Sequence, residues 1–294
     1  MKHVQALCLL TALLGSAATA AAQTSGAQGP EEAPHRRQLW SVPSPDPNTS
    51  SRAVLFRPPG NGPFPLAIIA HATTQNALRR AQMPQLEYRA LASWFVRRGY
   101  AVLVPERPGH GATGGRYLED QGGCDDADYL RAGRATADSI AVAMSDIRKQ
   151  PFIRHDGTIV VGHSAGGWGA LALAGANPPG VTAVVAFAPG RGGHANDRPN
   201  DVCAPQRLIA AAATFGQTAH VPVIWLVARN DSYFSPAFSR QLADAFGKGG
   251  AKVDVRELPD FRSEGHWLAE SDSGDDIYGA ALDKTLKAIT ARKR

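Results

Sequence analysis

Short continuous apolar runs alternate along the chain with longer stretches in which apolar residues recur every three or four positions. Residues 53–57 and 66–71 read as strands, and the second is apolar at every position before His71, as a strand buried on both faces requires. Residues 86–98 have a helical period that stops at Gly99, 100–105 return to strand, and a glycine-rich loop runs on through Gly123. The spacing then predicts a long helix over 126–150, a strand over 158–162 and a small-residue helix over 165–176. Strands over 181–188, 221–228 and 253–258, with helices over 238–246 and 277–291, complete the series. Strands separated by helices of this length need right-handed crossovers, so the expected fold class is α/β, a mostly parallel central sheet with helices on both faces. Ligands on such sheets bind beyond the C-terminal strand ends.

With 294 residues, 44% hydrophobic and 19% charged, the chain can bury a large core, which excludes disorder as its main state. One more apolar run, residues 4–22, follows Lys2 and His3 and ends in Ala20-Ala21-Ala22 before Gln23. That is the pattern of an export signal over 1–22, and the expected location is the bacterial periplasm or the medium. A membrane anchor is the alternative, but the apolar stretch is shorter than the ~20 residues of a span. Residues 23–38, rich in Ala, Gly, Gln and Pro, read as a flexible segment, and 39–294 as one domain without internal repeats. Loss of the signal lowers the formal charge from +5 to +4. Lys and Arg are scattered apart from Arg292-Lys293-Arg294, so nucleic acid is not an expected partner.

Once the signal is removed, Cys124 and Cys203 are the remaining cysteines, an even pair in an oxidising compartment. A disulfide is expected. Two free thiols are the alternative, because sequence carries no distance between them. Neither cysteine has ligand neighbours at metal-binding spacing, and no metal is expected.

The strand over 158–162 runs into Gly162-His163-Ser164-Ala165-Gly166-Gly167 and then a helix, which is the G-x-S-x-G pattern in a strand, turn, helix context. Glycines two positions either side of the serine permit a tight turn without Cβ clashes. Ser164 is thereby presented at a helix N-terminus, whose free N–H groups favour an oxyanion. A serine hydroxyl is a weak nucleophile and needs a base, itself oriented by a carboxylate. In this arrangement the chain order is serine, acid, histidine. Downstream of Ser164 lie His194, His220 and His266, and His266 alone follows the last predicted strand, in a glycine-flanked loop. His194, in a loop, and His220, at the wrong strand end, read as structural. His163, inside the elbow, cannot easily serve its neighbour, and His71 reads as a loop organiser. Asp231, directly after the strand over 221–228, is the expected acid; Asp260 is its rival, with Asp254 and Glu257 behind because they lie within a strand pattern. Two donors are then needed for the oxyanion: the N–H of Ala165 and one from His71-Ala72-Thr73-Thr74, with Thr73 preferred and Ala72 the alternative.

On these residues the chain resembles an α/β-hydrolase, specifically the dienelactone-hydrolase-related serine hydrolases of bacteria. The likeness spans about 53–268 and rests on His71-Ala72, Arg107-Pro108-Gly109-His110-Gly111, the elbow, Asn230-Asp231-Ser232-Tyr233-Phe234 and Gly265-His266. Dienelactone hydrolases use a cysteine nucleophile where this chain has Ser164, and Ala72 replaces the usual glycine after His71. The resemblance implies a hydrolase, and the triad chemistry adds ester cleavage through an acyl-enzyme, with a small-molecule ester as partner and no cofactor.

Trp168 faces either the pocket or the core. Tyr233, Phe234 and Trp267 flank the acid and base and are expected to line an apolar site. Arg107 and His110 read either as gate or binding residues or as parts of a simple turn. Competing functions are a peptidase of prolyl-oligopeptidase type, for which the chain lacks both the length for a propeller and an acidic clamp, and a non-catalytic binding protein on the same fold.

Overall fold

The computed structural model describes residues 23–291; the expected export signal, 1–22, lies outside the described residues. A nine-stranded sheet runs through the described residues: β1 (Gly26–Ala27), β2 (Gln38–Val42), β3 (Ser51–Phe56), β4 (Leu66–Ala70), β5 (Ala101–Pro105), β6 (Thr158–His163), β7 (Val181–Phe187), β8 (Val223–Ala228) and β9 (Val253–Leu258). Their spatial order is β1-β2-β3-β5-β4-β6-β7-β8-β9. The pairs from β1 to β5 along that order are antiparallel, and every pair from β5 onward through β4 to β9 is parallel.

Period-two geometry explains the unbroken apolar runs. In β4, Leu66, Ile68 and Ala70 point to one face and Ala67 and Ile69 to the other, and all five are buried. One face is covered by α2 (Arg89–Val96) and α7 (Asp275–Ala291), through Leu91, Trp94, Phe95, Tyr278 and Leu282. Helices α3 (Tyr129–Ile147), α4 (Ala165–Ala176), α5 (Pro205–Gly216) and α6 (Pro236–Gly247) cover the other, through Ile140, Trp168, Leu171, Phe215 and Phe246. Each fully buried Leu, Ile or Phe contributes about 1.5–3 kcal/mol relative to exposure. A short α1 (Ala77–Ala81) follows the loop after β4, capped by the Asn76 side chain on the Arg79 N–H.

The sequence reading missed β2 and α5. Residues 23–38, expected as a flexible segment, lie at the sheet edge: β1 pairs with β2, the Gln23 amide donates to the Ser44 carbonyl, and Glu32 and Arg37 exchange backbone bonds. Its small and polar residues gain order from backbone pairing, which composition does not reveal. Helix α5 went unread although Leu208, Ala211, Ala212 and Phe215 recur at helical spacing and form its buried face.

Candidate active site

Strand β6 delivers Ser164 as the N-cap of α4, with φ 54° and ψ −118°. A non-glycine residue held there carries strain on the order of 1–3 kcal/mol. The glycines make the turn possible: a Cβ on Gly162 would meet the Gly166 carbonyl, and one on Gly166 would meet the Ala70 carbonyl. The backbone is pinned by the Ser164 N–H donating to Phe187 O at 2.9 Å and by its carbonyl accepting from Trp168 and Gly190.

His266 stands in a 3-10 turn, Gly265–Ala269, after β9. Its Nε2 lies 3.0 Å from Ser164 Oγ and its Nδ1 lies 3.0 Å from Asp231 Oδ2. All three side chains are buried. Asp231 Oδ1 is already taken by the N–H groups of Tyr233 and Phe234, at 2.9 and 2.8 Å, which leaves Oδ2 for the imidazole. With Nδ1–H donating to a carboxylate, Nε2 is the acceptor for the serine hydroxyl.

Glu264, which the sequence reading missed, ties the two loops together. Its Oε1 accepts from the backbone N–H groups of His266 and Ser232, and Oε2 accepts from the Ser232 hydroxyl. Burial alone would raise the Glu264 carboxyl, but the Ser232 hydroxyl and the two backbone donors hold it below its ordinary value. It is the N-cap of the 3-10 turn, a place where Ser, Thr, Asp or Asn is the usual residue, so sequence carried no signal for it.

Beneath His266 lies a second histidine. His163 Nε2 donates to the His266 carbonyl at 2.7 Å, so its Nδ1 must accept, and Tyr88 Oη donates to it at 3.1 Å. Tyr88 Oη in turn accepts the Ala72 N–H at 3.1 Å. That bond corrects the alternative assignment of Ala72 as an oxyanion donor, because its N–H is already engaged. Burial, reinforced by the nearby His266, lowers His163 to about 3, and burial raises the Tyr88 phenol, so neither ionises near neutrality. Thr73 and Ser164 line the same cavity, and Ala165 opens the first turn of α4 beside them. The Thr73 hydroxyl donates to His110 Nε2 at 2.6 Å, since His110 Nδ1 faces the carbonyls of Arg107 and Pro108.

The cavity above Ser164 measures about 520 Å³, and its walls include Thr73, Arg191, His194, Tyr233, Phe234, His266 and Trp267. Trp168 is not among them. It is fully buried, donates Nε1–H to the Tyr129 carbonyl and packs on Phe215, so its place is the core. Arg107 and His110 are buried as well and do not form a gate. Arg107 pairs with Glu119 and donates to the His71 carbonyl, while Arg191 pairs with the same Glu119. Burial opposes charge on Glu119, yet the two guanidinium groups hold its carboxyl well below the usual range. His71 accepts the Arg107 N–H and donates to the Ala72 carbonyl, an organiser of the loop.

Cys124 and Cys203 are joined by a disulfide with Cα atoms 5.0 Å apart. Cys203 N–H donates to Gly192 O, so the bridge anchors the cavity wall at 191–193. Asp260 is paired with Arg229 on the surface and Asp254 with Arg256, and neither reaches the histidine. His220 is exposed at the far strand end, whereas His194, read as structural, comes to the cavity. Among the described residues, no group of three or more His, Cys, Asp or Glu is arranged to hold a metal ion, and no helix is long and apolar enough to cross a membrane.

A family model described as serine aminopeptidase, S33, matches residues 85–218. Among solved structures, a dienelactone hydrolase-like protein from Klebsiella pneumoniae is 14% identical, with 84% of this chain and 96% of that one covered and a TM-score of 0.52. Est1E from Butyrivibrio proteoclasticus, solved with ferulic acid bound, is 16% identical, covers 85% and 99% of the two chains and has a TM-score of 0.57. A puromycin-hydrolysing peptidase from Mycobacterium tuberculosis is 16% identical with a TM-score of 0.56, over 79% of this chain and 38% of that one. No curated protein sequence matches the chain significantly. Sheet order, elbow and these likenesses define an α/β-hydrolase fold. The chain shares that fold with these proteins.

Proposed function

We propose that this protein is an exported serine hydrolase that cleaves small-molecule carboxylic esters through an acyl-enzyme. The observation that carries the reading is the pair of 3.0 Å contacts linking Ser164 Oγ, His266 and Asp231 beneath an accessible cavity. In the reaction, Ser164 Oγ attacks the ester carbonyl carbon while His266 Nε2 takes its proton. Asp231 holds the ring and balances the imidazolium. The N–H groups of Ala165 and Thr73 receive the tetrahedral oxygen, each donor being worth ~3 kcal/mol by mutational analogy. Collapse expels the alcohol, protonated by His266, and leaves the acyl group on Ser164. Water, deprotonated by the same imidazole, releases the acid and restores the serine.

The disulfide supports an oxidising compartment and hence export. N-terminal sequencing of the mature protein is expected to begin at Gln23. Amide cleavage is the second reading, favoured by the partial match to a serine aminopeptidase model. Fluorophosphonate labelling tests the nucleophile: the protein is expected to label, and Ser164→Ala to abolish it. No labelling of folded protein would point to a binding protein instead. Matched p-nitrophenyl esters and p-nitroanilides separate ester from amide hydrolysis, and a higher kcat/KM on the anilides would overturn the ester assignment.

A further inference from the structure

Tyr233 is sandwiched between two imidazoles. Its ring stacks on His266 with centroids 4.2 Å apart and planes 18° from parallel, and on its other face lies His194 at 3.6 Å and 9°. The stack is fastened at both ends. The Tyr233 N–H donates to Asp231 Oδ1 at 2.9 Å, the carboxylate that also holds His266. At the other end His194 Nε2 lies 2.8 Å from the Ser232 hydroxyl, whose hydrogen goes to Glu264; Ser232 Oγ therefore accepts from His194 Nε2–H. One backbone stretch, Asp231-Ser232-Tyr233, thus supplies the acid, a hydroxyl bracing the rear histidine, and the ring between.

We propose that Tyr233 is a positioning residue: its ring, backed by His194, keeps the His266 imidazole in the plane shared by Asp231 and Ser164 and attracts the imidazolium that forms when the serine loses its proton. The inference rests on the serine-hydrolase reading of Ser164. Chemically it follows from the quadrupole of an aromatic face, negative above the ring, which favours a cation stacked on it over the neutral form. An imidazole constrained from one side also has fewer rotations open to it, so little ordering remains for the transition state. Other charged and titratable groups near the stack are Asp231, Glu264, Glu270, His163, Arg79 and Asp197, and a change confined to the Tyr233 side chain leaves them all in place.

The experiment compares the full mature protein with Tyr233→Phe, Tyr233→Leu and His194→Ala. Two readouts are needed: the pH dependence of kcat/KM on a p-nitrophenyl ester, and the titration of His266 followed by NMR, which requires no turnover. Loss of the ring in Tyr233→Leu is expected to lower kcat about tenfold with little change in KM, and to move the acidic limb and the His266 titration to lower pH by about 0.5–1 unit. Tyr233→Phe, which keeps the face, is expected to restore both. His194→Ala, which removes only the backing, should shift the titration the same way by less, and it carries the test if the leucine variant does not fold. The proposal is overturned if neither variant moves the His266 titration, if it moves upward, or if phenylalanine fails as badly as leucine. Absence of fluorophosphonate labelling in the unaltered protein would defeat the serine-hydrolase reading instead, and the titration would still decide the role of the ring.

Discussion

Two buried polar clusters lie under the same cavity, and they differ in where their hydrogen bonds end. On one side Glu119 binds Arg107 and Arg191, Arg191 also reaches the Thr136 hydroxyl at 3.1 Å, and His71 and His110 complete the group; these side chains are buried and bonded chiefly to one another. On the other, Asp231 and His266 lead to a serine hydroxyl that lines the cavity. Both clusters hold charge in low dielectric, where a missing partner is costly. The first closes its charges on one another, although Arg191 and Thr73 line the cavity, and it joins three loops. The second is open at one end, which under the proposed function lets a proton pass along it toward a bound molecule. Density of buried polar groups is therefore a poor guide to chemistry, and an open end is a better one.

The largest expected effect separates the clusters outright. Ser164→Ala is expected to lower kcat on any substrate by about 10⁴-fold or more. Its melting temperature should stay within a few degrees, and a large drop would mean that the open cluster also holds the fold together. Glu119→Gln is the converse experiment. It leaves two buried guanidinium groups without their shared counter-charge and should cost about 3–5 kcal/mol in urea unfolding. If stability survives while activity disappears, the closed cluster has been assigned the wrong role.

The disulfide belongs to the closed side, because it holds the loop that carries Arg191. It spans 79 residues, and its reduction is expected to cost about 2–4 kcal/mol. A fall in melting temperature of several degrees with fluorophosphonate labelling retained is the expected result; an unchanged melting curve would count against any stabilising role.

The smallest effect is a slope. Burial lowers His110 to about 4 in the folded protein, while an unfolded chain protonates it near the ordinary imidazole value of about 6.5. Its contribution to stability is thus present above that pH and is lost as pH falls from there toward 4, at about 1.4 kcal/mol per unit. Burial lowers His71 and His163 too, and they act in the same direction. In His110→Gln the dependence of unfolding free energy on pH between about 4.5 and 6 should flatten by one proton's worth. An unchanged slope would show that His110 is protonated in the fold.

Much of this was legible in advance because it is local. The run before Gly162 could be read as a strand and the residues after Ser164 as a helix, since backbone period and glycine chemistry act within a few residues. Asp231 and His266 could be named because strand ends and chain order restrict which loops share a sheet edge. Trp168 could not be assigned, because α4 is apolar all round and its sequence has no preferred face. Nor could the ordering of 23–38, which depends on pairing with β2.

Sequence by itself determined the alternation of buried strands and covering helices, the strained turn that presents Ser164, and the candidates to serve it. These follow from side-chain size, period and backbone freedom, which act between near neighbours. Tertiary structure alone decided that Tyr88 occupies the Ala72 N–H, that Glu119 binds two arginines 12 and 72 residues away, and that His194 backs the ring stacked on His266. Contacts of that kind form between segments far apart in the chain, and only the packing of the loops over the sheet brings their atoms within bonding reach.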